Sequence, residues 1–117
     1  MSVPDNDDWF KISNEVNVQE KDIRITKHTW NAFFETSLND ELKKHSVTGI
    51  VFAGISTSIG VEGTARAASE LGYNITFATD AMTDREEDAH QRSIKYIFPR
   101  MGETGTTQEI IDMLQSN

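Results

Sequence analysis

Two short segments carry the residues best suited to chemistry. In ITKHTWNAF, residues 25–33, Lys27 is followed by Trp30 and Phe33. A lysine at a strand end beside aromatic rings can stabilise a developing negative charge or hold a substrate carboxylate; a solvated surface ammonium is its plainer role. In GISTSIGVEGTAR, residues 54–66, Gly54, Gly60 and Gly63 frame a strand-to-helix turn. A helix start aims free amides and the positive end of a dipole at whatever binds there, which suits an oxyanion or a carboxylate. Tight turning and close packing account for the same glycines without a ligand. Asp80 stands 20 residues beyond Gly60, where an acid reading a ribose would stand in a nucleotide-binding domain, but the glycine spacing departs from the dinucleotide fingerprint.

Other chemistries are set aside by residue type. The chain has no cysteine, which removes disulfides, thiolate metal sites and a thiol nucleophile together. His28, His45 and His90 show no ligand spacing with one another or with carboxylates, so no metal site and no other cofactor is expected. The acidic run DREED, residues 84–88, opens a helix, where negative charge complements the dipole.

These residues need elements to position them. Ile23, Ile25 and Lys27 alternate with polar neighbours, which predicts a strand delivering Lys27 to a sheet edge. Ser37 is placed to cap a helix through His45, with Leu38 and Leu42 on its buried face. GIVFAGI, residues 49–55, is a continuous apolar run, the pattern of a parallel strand buried on both faces. From Ser58 the period becomes helical, with Val61, Ala65, Ala68 and Leu71 on one face and Glu62, Arg66 and Glu70 on the other, until Gly72. YNITFATDA, residues 73–81, predicts a strand ending at Asp80. Thr83 with Glu86, and later Thr106 with Glu109 before Ile110, Ile111 and Leu114, have capping-box spacing. Pro99 ends the intervening helix by Phe98, and residues 101–105 suit a last short strand. The alternation predicts an α/β fold with a mostly parallel sheet covered by helices on both faces, its ligands bound beyond the carboxyl ends of the strands.

Composition sets the outer limits. With 117 residues and 37% apolar content, the chain suits one domain with a modest core. Residues 1–8 are read as a flexible segment and residues 9–117 as the domain, with structure beginning near Trp9. A net charge of -8 argues against nucleic acid and anionic membranes as partners. No apolar run reaches the roughly 18 residues of a membrane span, and the acidic start is unlike a secretory signal, so a cytoplasmic protein is expected.

Taken in order, ITKHTWNAF, TSLNDEL, GIVFAGISTSIGVEGTARAASELGY and ATDAMTD with His90 resemble the isochorismatase-like (cysteine hydrolase) superfamily over about residues 9–115. The resemblance implies a three-layer α/β/α, Rossmann-like fold. It implies a catalytic role for Lys27 and puts Gly60 where relatives carry a nucleophilic cysteine. Isochorismatases similarly lack that cysteine, because vinyl-ether cleavage needs protonation of the enol and attack by water rather than an acyl intermediate. It also implies a cis peptide between Ile55 and Ser56, and a small carboxylated substrate against Trp30, Phe33, Ile55, Ser56 and Ile59. The family's first strand, ending in a catalytic aspartate, has no counterpart: none of Asp5, Asp7 and Asp8 follows an apolar strand. The fold is therefore expected to be truncated at its N-terminus.

By that resemblance the lysine strand would sit about three inter-strand steps of ~4.8 Å from GIVFAGI. An apolar strand left at an edge is a template for another chain. Three outcomes are expected: a homodimer or higher homo-oligomer paired along this edge, exchange of the first strand, or a reordered sheet in which residues 23–27 pair with 49–55. The function classes that follow are a hydrolase whose acid comes from a partner chain, weak or inactive as an isolated chain, and a non-catalytic remnant acting as an oligomeric module.

Overall fold

The computed structural model describes residues 15–116; the expected segment 1–8 and the expected start at Trp9 lie outside them. A first helix, α1 (Leu38–Lys44), precedes strand β1 (Gly49–Ile55). A wide turn over Thr57–Val61 leads into α2 (Glu62–Glu70), and β2 spans Asn74–Thr83. Helix α3 (Glu87–Arg92) continues through a wide turn to Ile97 and a tight turn at Phe98–Arg100, where Pro99 stops it. Strand β3 (Glu103–Gly105) and helix α4 (Thr107–Gln115) complete the fold. The sheet is parallel throughout, in the order β1-β2-β3, which is the α/β architecture the alternation predicts.

The core lies on one face of this sheet. Ile75 and Phe77 alternate inward from β2 and meet Phe52 of β1, Val61, Ala65 and Ala68 beside and along α2, and Phe98 beyond α3. The rings of Phe77 and Phe98, both fully buried, stack 3.8 Å apart and almost parallel. On the opposite face Ala78 is buried, and α4, packed on β2, buries Ile110. Helices thus cover both faces at β2, giving three layers there.

Pairing of β1 with β2 runs in step from Gly49–Asn74 to Phe52–Phe77, breaks, and resumes at Gly54–Met82 and Ile55–Thr83. A single residue of β1, Ala53, therefore stands opposite residues 78–81, so β2 bulges outward there. Asp80 sits in that bulge and β2 continues past it to Thr83, a correction to the expected strand end. Because Thr83 is held in the ladder, the expected box with Glu86 does not form; the Asp84 carboxylate accepts the Glu86 amide instead. At α4 the expected box forms in full, Thr106 accepting from Glu109 N and Glu109 Oε1 accepting from Thr106 N. Ser37 occupies the position before α1 without a capping bond, and the Thr36 hydroxyl accepts the Leu38 amide in its place.

Three other expectations are corrected. Residues 23–27 belong to no strand, and they do not pair with β1. A strand exists only through a partner's hydrogen bonds, and no strand of the sheet pairs with these residues. GIVFAGI is not covered on both faces: only Phe52 is buried, while Val51 is 47% and Ile55 74% exposed. Leu71 lies beyond the end of α2 and stays half exposed, as do Ile111 and Leu114 on the outer side of α4. Among the described residues no helix is long and apolar enough to cross a membrane.

Gly102 lets β3 approach β2. A Cβ at this position would lie 2.0 Å from the Ile75 carbonyl oxygen, and backbone cannot yield as a flexible side chain does. Gly102→Ala is expected to cost about 3 kcal/mol, the upper end of overpacking penalties, measured as the loss of unfolding free energy in urea. Phe98→Ala, which removes one ring of the buried stack, is expected to cost a further, separate ~3–5 kcal/mol.

Candidate functional site

Three segments converge at the carboxyl end of β1. The exposed loop holding Lys27 folds so that Nζ donates to the Trp30 carbonyl over 3.1 Å. A Cβ built on Gly60 would stand 3.0 Å from that Nζ, 3.4 Å from the Ile55 carbonyl oxygen and 3.9 Å from the Trp30 carbonyl oxygen. Lys27, the end of β1 and the buried Gly60 are thus brought together, although 33 positions separate the lysine from the glycine. The Ile55–Ser56 peptide between strand and turn is cis.

The lysine loop is anchored by a residue that the spacing arguments missed. Thr64 lies on the inner face of α2, 7% exposed. Its hydroxyl donates to Trp30 O (3.2 Å) and accepts from Ala32 N (3.0 Å). The Trp30 carbonyl therefore receives both Thr64 and Lys27, which ties the ammonium to α2 through one oxygen. Asn31 and Thr29 close the turn locally: Asn31 N donates to Thr29 Oγ1 and Phe33 N to Asn31 Oδ1.

The turn itself is already occupied by an anion, one from this chain. Ser58 donates both its amide (2.8 Å) and its hydroxyl (2.5 Å) to Asp84 Oδ2, while the amides of Ile59 and Val61 donate to Ser56 O. The expected display of free amides to a ligand is corrected to that extent, for the reason that made it attractive: a helix start favours a carboxylate. The Ser58 hydroxyl, followed by the amides of Glu86 and Ser58, holds the Asp84 carboxyl below its ordinary value of 3.8. Next to it, the buried Thr57 hydroxyl pairs with His90 Nδ1 at 2.6 Å, and Ser93 Oγ donates to Glu62 Oε1 at 2.7 Å.

The remaining candidates divide. Trp30, 66% exposed, borders an open depression of about 510 Å³ shared with His28, Thr29, Asn31 and Phe34. Phe33 turns away from it, stacking on Tyr73 with centroids 6.0 Å apart and packing against the core. Ile55 is exposed at the open edge, and Ser56 and Ile59 are half-buried in the turn. Asp80 accepts both the hydroxyl and the amide of Thr107 on one oxygen, bonds that hold its carboxyl below 3.8. That carboxylate serves the start of α4, which leaves no support for Asp80 as a ribose reader or a general acid. Glu62 is ion-paired with Arg66, and Glu41 lies 3.8 Å from the His45 ring; among the described residues no carboxylate pairs with Lys27, and no cluster of side chains is arranged for a metal ion.

The isochorismatase domain family matches residues 2–109. The chain is 42% identical over 108 residues to the isochorismatase family protein YwoC of Bacillus subtilis, covering 92% of this chain and 57% of that protein. It is 29% identical over 106 residues to the isochorismatase of the same organism, covering 91% and 34%. Among solved structures it resembles an isochorismatase family protein from Burkholderia thailandensis, with a TM-score of 0.84 and 37% identity over 91% of this chain and 58% of that one. A cysteine hydrolase from Pseudomonas syringae shares the fold, with a TM-score of 0.87 at 23% identity over 91% and 55%. The chain thus spans less than three-fifths of the length of each of these proteins.

Thr64→Val keeps the shape but leaves the Ala32 amide without its acceptor, and is expected to cost about 1–3 kcal/mol, read from chemical denaturation. The Asp84 contribution has a definite pH sense. Its folded carboxyl titrates below the unfolded value of 3.8, so the unfolded chain binds the extra proton between the two values. The contribution is complete above the unfolded value and is lost as pH falls through the folded one. The gap in melting temperature between the parent and Asp84→Asn should therefore be widest well above pH 3.8 and close as the pH falls below it.

Proposed function

The chain belongs to the isochorismatase family, and on that premise we propose that it supplies the charge-stabilising half of an isochorismatase-type hydrolase acting on a small carboxylated substrate. The observation that carries this reading is the Lys27 ammonium standing 3.0 Å from the side-chain space left open by Gly60. Cleavage of an enol ether by water proceeds by proton addition to the terminal alkene carbon, attack of water on the resulting oxocarbenium carbon, and collapse to a ketone and an alcohol. No bond to the protein forms, so a glycine at position 60 is compatible with it. Lys27 would hold the substrate carboxylate and Trp30 its ring, with Ile55, Ser56 and Ile59 lining the approach.

The general acid has no counterpart beside Lys27 among the described residues, and in this reading a second chain brings it. The open edge of β1 offers the means: seven residues without charge or proline, two of them large, apolar and exposed. Pairing along that edge makes a homodimer or higher oligomer and covers Val51 and Ile55. The same exposure favours the competing reading, an oligomeric module that keeps the fold without turnover.

Pyruvate release from isochorismate, followed by a coupled dehydrogenase assay on the purified oligomer, decides between them. Catalysis predicts release that falls about 10²–10³-fold in Lys27→Ala, the scale for removing one electrostatic stabiliser; no release above buffer leaves the module. Val51→Lys, a charge placed on the open edge, is expected to shift the mass in sedimentation equilibrium from oligomer to monomer.

A further inference from the structure

The segment after β2 grips the turn at successive points. Ile55, the last residue of β1, is paired with Thr83; three residues on, Ser58 gives its amide and hydroxyl to Asp84, the residue after Thr83. Thr57 is bonded to His90 and Glu62 to Ser93, on α3 and just beyond it. Both ends of the cis-containing link 55–58 are thus fixed to the neighbouring residues 83 and 84, and Gly60 follows two positions later. Nothing equivalent holds Lys27 to Gly60 directly. Their separation is set from two sides: Thr64 of α2 holds the lysine loop, and Asp84 is among the residues that hold the turn.

We propose that Asp84 is a positioning residue: by binding Ser58 it sets the height of the turn so that position 60 faces the Lys27 ammonium. This rests on the reading of Lys27 and Gly60 as the charge-stabilising pair. Asp84 touches neither of them, and its effect passes through Ser58. Because the carboxylate accepts two bonds from one residue, it fixes rotation of the turn as well as its distance from the sheet.

The absence of cysteine from the chain gives a direct probe. Gly60→Cys installs the only thiol, its Cβ 3.0 Å from Nζ of a flexible lysine that can yield a few tenths of an ångström. Thiolate absorbance at 240 nm then reports the pair. In the Gly60→Cys parent the midpoint should lie below the roughly 8.5 of a free thiol, because the ammonium favours the thiolate. Adding Asp84→Ala removes a negative charge, which by electrostatics alone would lower the midpoint further. Positioning predicts the opposite: a rise toward about 8.5, with the thiolate fraction at neutral pH falling about fivefold or more.

Asp84→Asn, which retains an acceptor oxygen for Ser58 without the charge, should stay close to the parent. A midpoint that falls or does not move in Asp84→Ala, with circular dichroism matching the parent, overturns the proposal. If Asp84→Ala does not fold, Ser58→Ala carries the test, with a smaller rise supporting the proposal and no rise overturning it. Lys27→Met in the Gly60→Cys chain keeps the failures distinct: an unchanged midpoint there removes the pair, and the reading of the site with it. Failure of pyruvate release alone leaves the thiol result standing.

Discussion

The resumption of pairing at Ile55–Thr83, beyond the bulge in β2, is the constraint on which the site depends. Without it β1 would part from β2 at Phe52 and the turn after it would swing with the solvent-facing end of the strand. With it, the end of β1, the start of the turn and the residues that follow β2 are brought within bonding distance. Asp84 then reaches Ser58, His90 reaches Thr57, and α2 starts in a direction that packs Val61, Ala65 and Ala68 on Phe52 and Phe77. The cost of the bulge is a stretch of β2, residues 78–81, unpaired with β1; within it Ala78 pairs with β3 and the Asp80 carboxylate secures α4.

The lysine reaches the site by a different route. Its loop has no strand pairing, so its position rests on side-chain bonds to α2, chiefly those of Thr64. The two halves of the site therefore differ in their mechanical support. The turn belongs to the sheet and its core; the loop is attached to a helix by side-chain bonds, with Trp30 largely in solvent. Motion of the loop relative to the turn would change the spacing between ammonium and Gly60 while leaving the core packing untouched.

Periodicity and capping signals made the central elements legible: GIVFAGI, the helix after it and the box at Thr106 and Glu109 stand where local patterns place them, and β2 does so except at its end, which runs on to Thr83. What failed was whatever depended on a distant partner. Ile23 and Ile25 alternate like a strand, but strand formation needs an edge to pair with, and none is spent on them. Thr83 and Glu86 have the spacing of a cap, yet the ladder claims Thr83. Lys27 and Gly60 could be linked only through resemblance; Thr64 went unnoticed, and Asp84 and His90 were read without their bonds to the turn, because the partners lie 26 to 34 positions away. A bond across such a separation leaves no local trace in one sequence.

Gly60 is buried but keeps an ordinary backbone conformation, and the nearest atom to its missing side chain is the movable tip of a lysine. Two of the four glycine codons, GGT and GGC, differ from a cysteine codon at a single base. From either of them a scaffold of this kind stands one point mutation from a thiol beside a cation, with no backbone to rebuild. Glycine and thiol become neighbouring states of one architecture at this position, and a lineage can pass between them in either direction without passing through an unfolded protein.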